Sequence, residues 1–269
     1  MTTFPDGPEI ALPAGDVTVG VVRVGDTVRR PYQDSSPRVA AYLRHLERVG
    51  FDGAPRYLGR DSQGRDVLTY LDGRVPGDPV EPWAARDDVL PGVARLLRRL
   101  HDASAGYAPP ARSVVPGRPQ PLLPEGEPRI VAQRDVTPQN TVFRGDAAWG
   151  LIDFDLSDWT TRSVDLANTA MHWVPLCDPV DRPAVYDGLE PGPRLRLLLD
   201  AYGRDAVGAE QLLHAAELRF AGSYRSMHWS AVHLGGGWAR MWAQGVGDVI
   251  ERRIAWFARV RDRLHSDLQ

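Results

Sequence analysis

Alternating apolar and polar residues near the start of the chain predict a pair of β-strands. Between residues 15 and 31 every aliphatic residue is a valine, and Gly25-Asp26 separates a longer run from a shorter one. Valine is favoured on the pleated surface of a strand, and a Gly-Asp pair is typical of a tight turn. We therefore expect strand, turn and strand across this stretch.

A helical pattern follows at residues 36–49. The Ser36-Pro37 pair is a common helix start, and Gly50 is a common helix end. Between them the apolar residues recur every three or four positions, at Val39, Tyr42, Leu43, Leu46 and Val49. Two further apolar runs, at 56–59 and 65–71, flank a polar turn and predict a β-hairpin.

The segment at 72–77 contains two glycines and a proline, and it predicts a linker. We therefore expect a small β-rich N-terminal lobe at residues 1–72 and a larger, mainly helical lobe at residues 73–269, which is an α+β fold. The proline-rich segment 106–128 predicts a surface loop. Apolar spacing predicts helices at 93–100, from 163 onward, and at 194–202, 209–222 and 245–262.

Three polar residues, Asp135, Asn140 and Asp153, follow predicted strands in the middle of the chain. Residues 141–143 can pair back on the strand that ends at Asp153, which would bring Asn140 and Asp153 together with Asp135 on the loop beside them. Two oxygen ligands for Mg²⁺ and a carboxylate that accepts a hydroxyl proton are what phosphoryl transfer requires. The alternative is a chance turn, in which Asp and Asn have their common loop roles.

The composition narrows the classes of function. The formal net charge of −3 gives no general attraction to nucleic acid or to an anionic membrane. The single cysteine, Cys177, excludes an internal disulfide and a multi-cysteine metal site, and the histidines lack zinc-ligand spacing. All 32 basic residues are arginines, so lysine chemistry is excluded and any phosphate-binding cation must be an arginine.

The remaining features concern where the chain resides. With 43% hydrophobic residues it can form a full core, and no apolar run approaches the length of a transmembrane helix. The first residues lack the charged and apolar regions of a secretion signal. We therefore expect a cytoplasmic protein, and the sequence assigns no oligomeric state.

The motif around these polar residues resembles the aminoglycoside phosphotransferase family, relatives of the protein kinases that phosphorylate small molecules. The resemblance rests on the D-x4-N spacing from Asp135 to Asn140 and on I-D-F-D at residues 152–155. It implies a protein-kinase-like, two-lobed fold. It also implies that Asp135 is the catalytic carboxylate, that Asn140 and Asp153 bind Mg²⁺, and that the co-substrate is ATP or GTP.

The same resemblance implies a nucleotide site in the N-terminal lobe. A turn that includes Thr18 would cover the phosphates, and Arg29 on the following strand would reach them, with Arg30 on the opposite face of that strand. The expected adenine contacts are the backbone groups of Thr69, Tyr70 and Leu71.

The chain departs from the family pattern at two places. Gln133-Arg134 stands where the family has His-Gly, and Val39 or Ala40 stands where a helix glutamate pairs with the strand cation. We expect Gln133 to hold the catalytic loop through its amide. Asp165, which matches a family position that braces this loop, is expected to pair with Arg134.

The acceptor pocket is less well defined by the sequence. In the resembled family, acids in the region after Trp173 line that pocket, so they would attract a cationic acceptor, and the alternative is a solvated acidic loop. These acids are Asp178, Asp181, Asp187 and Glu190. His101 is interpreted as a cation at a helix C-terminus, and the other histidines near tryptophans as packed helix residues, namely His172, His228 and His233.

The sequence therefore predicts an enzyme that uses ATP to phosphorylate a hydroxyl of a small, polar and cationic molecule, such as an aminoglycoside-like antibiotic. One alternative is a nucleotide-binding pseudokinase, which the two departures from the family pattern would explain. Another is a kinase of a metabolite such as choline, homoserine or an amino sugar. The expected partners are the nucleotide and the acceptor, without nucleic acid or membrane.

Overall fold

The computed structural model describes residue 4 and residues 7–12, 20–111 and 115–269. An antiparallel five-stranded sheet forms the N-terminal part, in the order β1-β2-β3-β5-β4. The first half of the predicted valine-rich strand lies outside the described residues. The strands are β1 (Ile10–Ala11), β2 (Val22–Val24), β3 (Thr27–Arg30), β4 (Tyr57–Arg60) and β5 (Asp66–Thr69).

Helix α1 (Ser36–Arg48) lies between β3 and β4 and connects this sheet to the rest of the molecule. The sequence predicted Ser36 as the residue that caps this helix, but the helix begins at Ser36 itself. The Ser36 hydroxyl accepts from the backbone N–H of Gln33 and donates to Asp66, so it does not cap the first turn. The hydroxyl of Tyr42 donates to the carbonyl of Val131 at 2.9 Å. The buried face of α1 therefore packs against the second part of the chain.

The second part is mainly helical, so the expected α+β architecture with a small β-rich part and a larger helical part is confirmed. Helix α5 (Ala209–His233) runs eleven residues beyond its predicted end at 222. Helix α6 (Gly236–Ala243) was not predicted, because glycines at 235–237 disfavour a helix. The helices are α2 (Leu90–Ala103), α3 (Arg162–Trp173), α4 (Pro191–Tyr202), α5 (Ala209–His233), α6 (Gly236–Ala243) and α7 (Val246–Asp267).

Two short antiparallel pairs lie between α2 and α3. Strand β7 (Thr141–Arg144) pairs with β8 (Ala147–Leu151), which confirms the predicted hairpin. Strand β6 (Arg129–Ala132) pairs with β9 (Asp158–Thr161), a contact that the local pattern did not predict because the partners are distant in sequence. Together the two pairs place the ends of β6 and β8 side by side.

The core is one continuous cluster of buried apolar side chains. It extends from α1, through Tyr42, Leu43 and Leu46, to the helices of the second part. In the part of the chain that is described, none of the helices combines the length and the apolar character needed to cross a membrane.

Candidate active site

Two loops with strained backbone form the centre of the site. One follows β6 and carries Arg134 and Asp135, and the other follows β8 and carries Asp153. Arg134 and Asp153 have φ angles of 67° and 55°. Residues other than glycine avoid this left-handed region, and exceptions gather at functional sites because the surrounding structure must enforce them. The strain therefore marks these two loops as the place where function constrains the fold.

Gln133 joins the two loops through its side-chain amide. The side chain is fully buried, and its Nε2 atom donates to the carbonyls of Ile152 at 2.9 Å and Asp153 at 2.8 Å. Its Oε1 atom accepts from the backbone N–H of Asp135 at 2.6 Å. One neutral amide thus satisfies three backbone groups and fixes Asp135 relative to Asp153, as expected for a residue that positions rather than reacts.

Replacement of Gln133 tests this positioning role. Gln133→His should keep activity within about tenfold, because a neutral imidazole also offers one donor and one acceptor. Gln133→Leu should lower activity by about 10- to 100-fold, because it leaves three backbone groups unsatisfied beside the site. Steady-state kinetics of the two variants measures the difference. Equal losses in both would contradict the bridging role.

Asp135, Asn140 and Asp153 converge at the junction of the loops, as the spacing predicted. The Nδ2 atom of Asn140 donates to Oδ2 of Asp135 at 2.8 Å and to the Asp135 carbonyl at 3.0 Å. The backbone N–H of Ile152, which precedes Asp153, donates to the carbonyl of Asn140 at 2.9 Å. These contacts hold the three side chains on one side of the hairpin formed by β7 and β8.

The electrostatics of this centre suit a divalent cation. Burial and the neighbouring charge of Asp153 raise the pKa of Asp135 to about 6. Burial and the charge of Asp155 also raise the pKa of Asp153, and Arg30 opposes that effect. Two carboxylates that repel each other at low dielectric would gain from a cation between them.

The donor set also fits Mg²⁺. Among the described residues no three His, Cys, Asp or Glu side chains form a cluster that could hold a metal ion. Mg²⁺ keeps several waters and binds through one or two carboxylates together with substrate phosphates. Asp153 and the Oδ1 atom of Asn140 are oxygen donors of that kind.

Helix α3 braces the catalytic loop from behind. The Nδ2 atom of Asn168 donates to the carbonyl of Arg134, and the indole N–H of Trp173 donates to the carbonyl of Val136, both at 2.9 Å. These bonds hold the backbone on both sides of Asp135. The loop is thus supported by buried side chains of a regular helix, which favours a fixed position for the carboxylate.

The predicted ion pair between Asp165 and Arg134 is wrong. Asp165 instead contacts His101, with 3.0 Å between its Oδ2 atom and His101 Nε2. His101 is fully buried, and its Nδ1 atom lies 2.8 Å from the hydroxyl of Tyr202. His101, in the last turn of α2, therefore forms a buried bridge to α3 and α4. Arg134 lies 3.9 Å from Asp158.

Strand β3 directs Arg30, and not Arg29, toward the loop that carries Asp153 and Asp155. Arg30 forms a buried ion pair with Asp155, the second Asp of the I-D-F-D motif. Arg29 points to the other face, where it lies 3.8 Å from Asp61 and over the ring of Phe4. The sequence predicted Arg29, the residue before Arg30, as the strand cation. A shift of one residue places the side chain on the opposite face of the sheet, because side chains alternate along a strand. The sequence shows both members of this ion pair, Arg30 and Asp155, but the prediction from the motif did not include Asp155.

The helix glutamate expected beside the strand cation is absent, as the sequence indicated. Val39 of α1 lines the small cavity next to Arg30. A carboxylate of the neighbouring strand, Asp66, lines the same cavity and is buried. Arg30 is therefore held by Asp155 on the loop after β8, and not by an acid of α1.

Arg29 and Arg30 are adjacent but point to opposite faces of the sheet, so the effects of their replacement on nucleotide affinity can be compared directly. Arg30→Ala should weaken binding of Mg²⁺–ATP by about tenfold or more, the scale of one charge-assisted contact to phosphate. Arg29→Ala should leave nucleotide affinity within about threefold, because its side chain faces Asp61 on the opposite side of the sheet. Calorimetric titration with a non-hydrolysable ATP analogue measures both. The reverse order of effects would restore Arg29 as the phosphate contact.

The other expected nucleotide contacts have different outcomes. Thr18 lies outside the described residues. The backbone N–H groups of Thr69 and Tyr70 already donate to the carbonyls of Arg56 and Asp26. In the described part of the chain the N–H of Leu71 makes no such bond, so it is the amide in this segment that is open to an adenine ring.

The acids after Trp173 are largely neutralised by α7. Arg252 pairs with Asp181 at 2.5 Å, and Arg259 pairs with Asp178 at 3.1 Å. A third pair, between Arg263 and Glu190 at 3.2 Å, continues the same face of the helix. These ion pairs cancel most of the negative field that the sequence suggested, so this loop gives little attraction to a cationic acceptor.

Comparisons with known proteins agree with this geometry. Residues 115–199 match the phosphotransferase enzyme family APH. The chain is 33% identical over 201 residues to the trifolitoxin immunity protein of Rhizobium leguminosarum bv. trifolii, an alignment that covers 72% of this chain and 74% of that protein.

Solved structures share the fold. A choline/ethanolamine kinase family protein from Mesorhizobium loti superposes with a TM-score of 0.60 at 17% identity, over 97% of this chain and 92% of that one. A microcompartment-associated aminopropanol kinase gives 0.60 at 14% identity, over 99% and 95%. The streptomycin–ATP complex of APH(2")-IIa gives 0.53 at 16% identity, over 83% and 84%. The chain therefore belongs to the APH phosphotransferase enzyme family.

Proposed function

We propose that this protein transfers the terminal phosphoryl group of ATP to a hydroxyl of a small polar molecule, with Mg²⁺ as cofactor. The observation that carries the proposal is the convergence of Asp135, Asn140 and Asp153 at the end of the β7–β8 hairpin. Asp153 and Asn140 would hold the metal, which would neutralise charge on the phosphates. Arg30 would contact the phosphates, and the N-terminal lobe at residues 1–72 would bind the nucleotide.

Asp135 has the chemistry required for the acceptor hydroxyl. Phosphoryl transfer depends mainly on position and charge, and a carboxylate that accepts a hydrogen bond from the hydroxyl aligns it with the phosphorus. The raised pKa of Asp135 makes it a better proton acceptor than an exposed carboxylate. As the hydroxyl oxygen bonds to phosphorus, its proton passes to Asp135 Oδ, and the bond to the ADP oxygen breaks.

The names of the relatives suggest two kinds of acceptor. Fold neighbours are named for ethanolamine, aminopropanol and aminoglycoside substrates, which are cationic amino alcohols, and this agrees with the acceptor expected from the sequence. The sequence relative is named as an immunity protein. A toxin or antibiotic that is inactivated by phosphorylation would be consistent both with a phosphotransferase and with the name immunity protein. The expected compartment is the cytoplasm, where ATP is present.

A screen of nucleotide consumption tests the proposal. ATP and GTP would be offered with Mg²⁺ to a panel of aminoglycosides, amino alcohols, hydroxy acids and peptide antibiotics. We expect acceptor-dependent release of ADP or GDP that disappears when Mg²⁺ is chelated. Nucleotide binding without consumption for every acceptor would instead support the pseudokinase alternative.

A further inference from the structure

The side of the catalytic loop that faces α3, α5 and α7 carries arginines. On α5, the Nε atom of Arg219 donates to Oδ1 of Asn168 at 2.9 Å. The Nδ2 atom of the same Asn168 donates to the carbonyl of Arg134, the residue before Asp135. Arg219 is thus connected to the loop that carries Asp135 through one buried side chain.

A second arginine, Arg253 on α7, lies next to the first. Its guanidinium is 5.8 Å from the ring centre of Phe220, the residue that follows Arg219. Its Nε atom is buried without a hydrogen-bond partner. Its chain neighbour Arg252, by contrast, points to the surface and pairs with Asp181. Helix α7 therefore presents one paired arginine outward and one unpaired arginine inward.

Neither inward arginine has a carboxylate partner within ion-pair distance among the residues that the structure describes. Both are partly buried. Two acids act on Arg219 from beyond ion-pair distance, Asp135 and Asp165, and Asp165 contacts His101 instead. Because taking a cation out of water without a partner is costly, two such side chains in one place would be stabilised by an anion beside them.

The charges around Arg219 include two further arginines. Burial, and then the charges of Arg134 and Arg253, lower the pKa of Arg219 to about 10, and the charges of Asp135 and Asp165 oppose that effect. Burial likewise lowers the pKa of Arg253. His172, one turn after Asn168 on α3, has its pKa lowered to about 3 by burial and by the two arginines, so it stays neutral. An added anion would relieve this repulsion.

We propose that Arg219 and Arg253 bind an anionic oxygen group, a carboxylate or a phosphate, that the acceptor molecule carries in addition to its hydroxyl. The inference rests on the proposed function, because it names the acceptor class of the same site. The acids that would have attracted a cationic acceptor are paired with α7, and the unpaired charges beside Asp135 have the opposite sign. The guanidinium fork matches both carboxylate and phosphate geometry.

Binding of inorganic sulfate in the presence of saturating Mg²⁺–ADP tests the anion site without requiring turnover. The nucleotide occupies the phosphate contacts near Arg30, so added sulfate reports a further site. We expect Arg219→Met and Arg253→Met each to weaken sulfate binding by about fivefold or more, the scale of a lost charge-assisted hydrogen bond. The matched control is Arg263→Met, which removes an arginine ten residues further along α7 that pairs with Glu190, and should change nothing. Sulfate binding that is absent, that is equal in all variants, or that Arg30→Ala alone removes would overturn the proposal.

Thermal unfolding separates anion recognition from a structural role. If Arg253 serves the ligand, Arg253→Met should unfold at the same temperature as the wild type or higher, because an unpaired buried charge is replaced by an apolar side chain of similar length. A clear fall in the unfolding temperature would show that Arg253 stabilises the fold instead, and would overturn its assignment.

Matched acceptors complete the test. Hydroxy acids and their neutral amides, such as homoserine and homoserinamide, would be compared with amino alcohols such as ethanolamine. We expect the acid to be phosphorylated with a lower KM than its amide, and Arg253→Met to remove that difference with kcat little changed. Preference for ethanolamine would overturn the anionic acceptor and leave the phosphotransferase proposal standing. Nucleotide binding with no phosphorylation of any acceptor, beside normal sulfate binding, would overturn the phosphotransferase proposal.

Discussion

Asp135→Asn should lower kcat by roughly 10²-fold or more, the scale of general acid–base contributions. The amide keeps the shape of the side chain but cannot accept the hydroxyl proton. Affinity for Mg²⁺–ATP should change little, because Asn140 and Asp153 would hold the metal. Turnover and nucleotide affinity measured on the same preparation give both quantities.

The stability of Asp135→Asn provides its control. In the folded protein, burial and Asp153 raise the pKa of Asp135, so the fold disfavours its charged form at neutral pH. Removal of that charge should therefore leave the unfolding temperature unchanged or raise it. A variant that is stable, binds nucleotide and has wild-type turnover would contradict the assigned role of Asp135.

Asp153→Asn should abolish Mg²⁺-dependent nucleotide binding together with activity. Its carboxylate is the anionic metal ligand in the proposal, and a neutral amide contributes no charge to a divalent cation. We expect nucleotide affinity to lose its dependence on Mg²⁺, which is a larger change than that from any other single replacement considered. Titration of ATP with and without Mg²⁺ measures the difference.

A matched control for Asp153→Asn is available on the same hairpin. Asp146 lies in the turn between β7 and β8, and its side chain is 88% exposed. Asp146→Asn removes the same charge without touching the site, so metal dependence should be retained. An effect of equal size from both replacements would indicate general electrostatics and would falsify the assignment of Asp153 as a ligand.

The central site could be predicted because its signals are local. Asp135, Asn140 and Asp153 are placed by one hairpin, and turn residues with alternating apolar positions define a hairpin within a short window. The positioning role of Gln133 could also be predicted, because an amide two residues before Asp135 has few roles other than hydrogen bonding to the loop. These predictions needed only the order of strand, loop and strand.

Features that depend on distant parts of the chain could not be predicted. The choice between Arg29 and Arg30 required the strand register, since a shift of one residue reverses the face. The His101–Asp165 contact joins residues 64 positions apart. The pairing of the acids after Trp173 with α7 joins residues about 70 to 80 positions apart, so the sequence showed an acidic loop where the fold forms an ion-pair network.

The directions of the arginines proposed to bind the acceptor also depend on the packing of distant helices. In the sequence Arg252 and Arg253 are equivalent neighbours, and only the orientation of α7 separates a surface ion pair from an inward cation. Arg219 has no motif around it. Periodicity indicated that these residues lie on helices, but the direction of each side chain depends on how the helices pack.

The measurement that tests phosphoryl transfer most directly is mass spectrometry of acceptors after incubation with Mg²⁺–ATP and either the wild type or Asp135→Asn. The account predicts an acceptor that gains one phosphoryl group with the wild type, and roughly 10²-fold less product with the variant. No phosphorylated product from any acceptor despite Mg²⁺-dependent ATP binding, or equal product from both proteins, would contradict it.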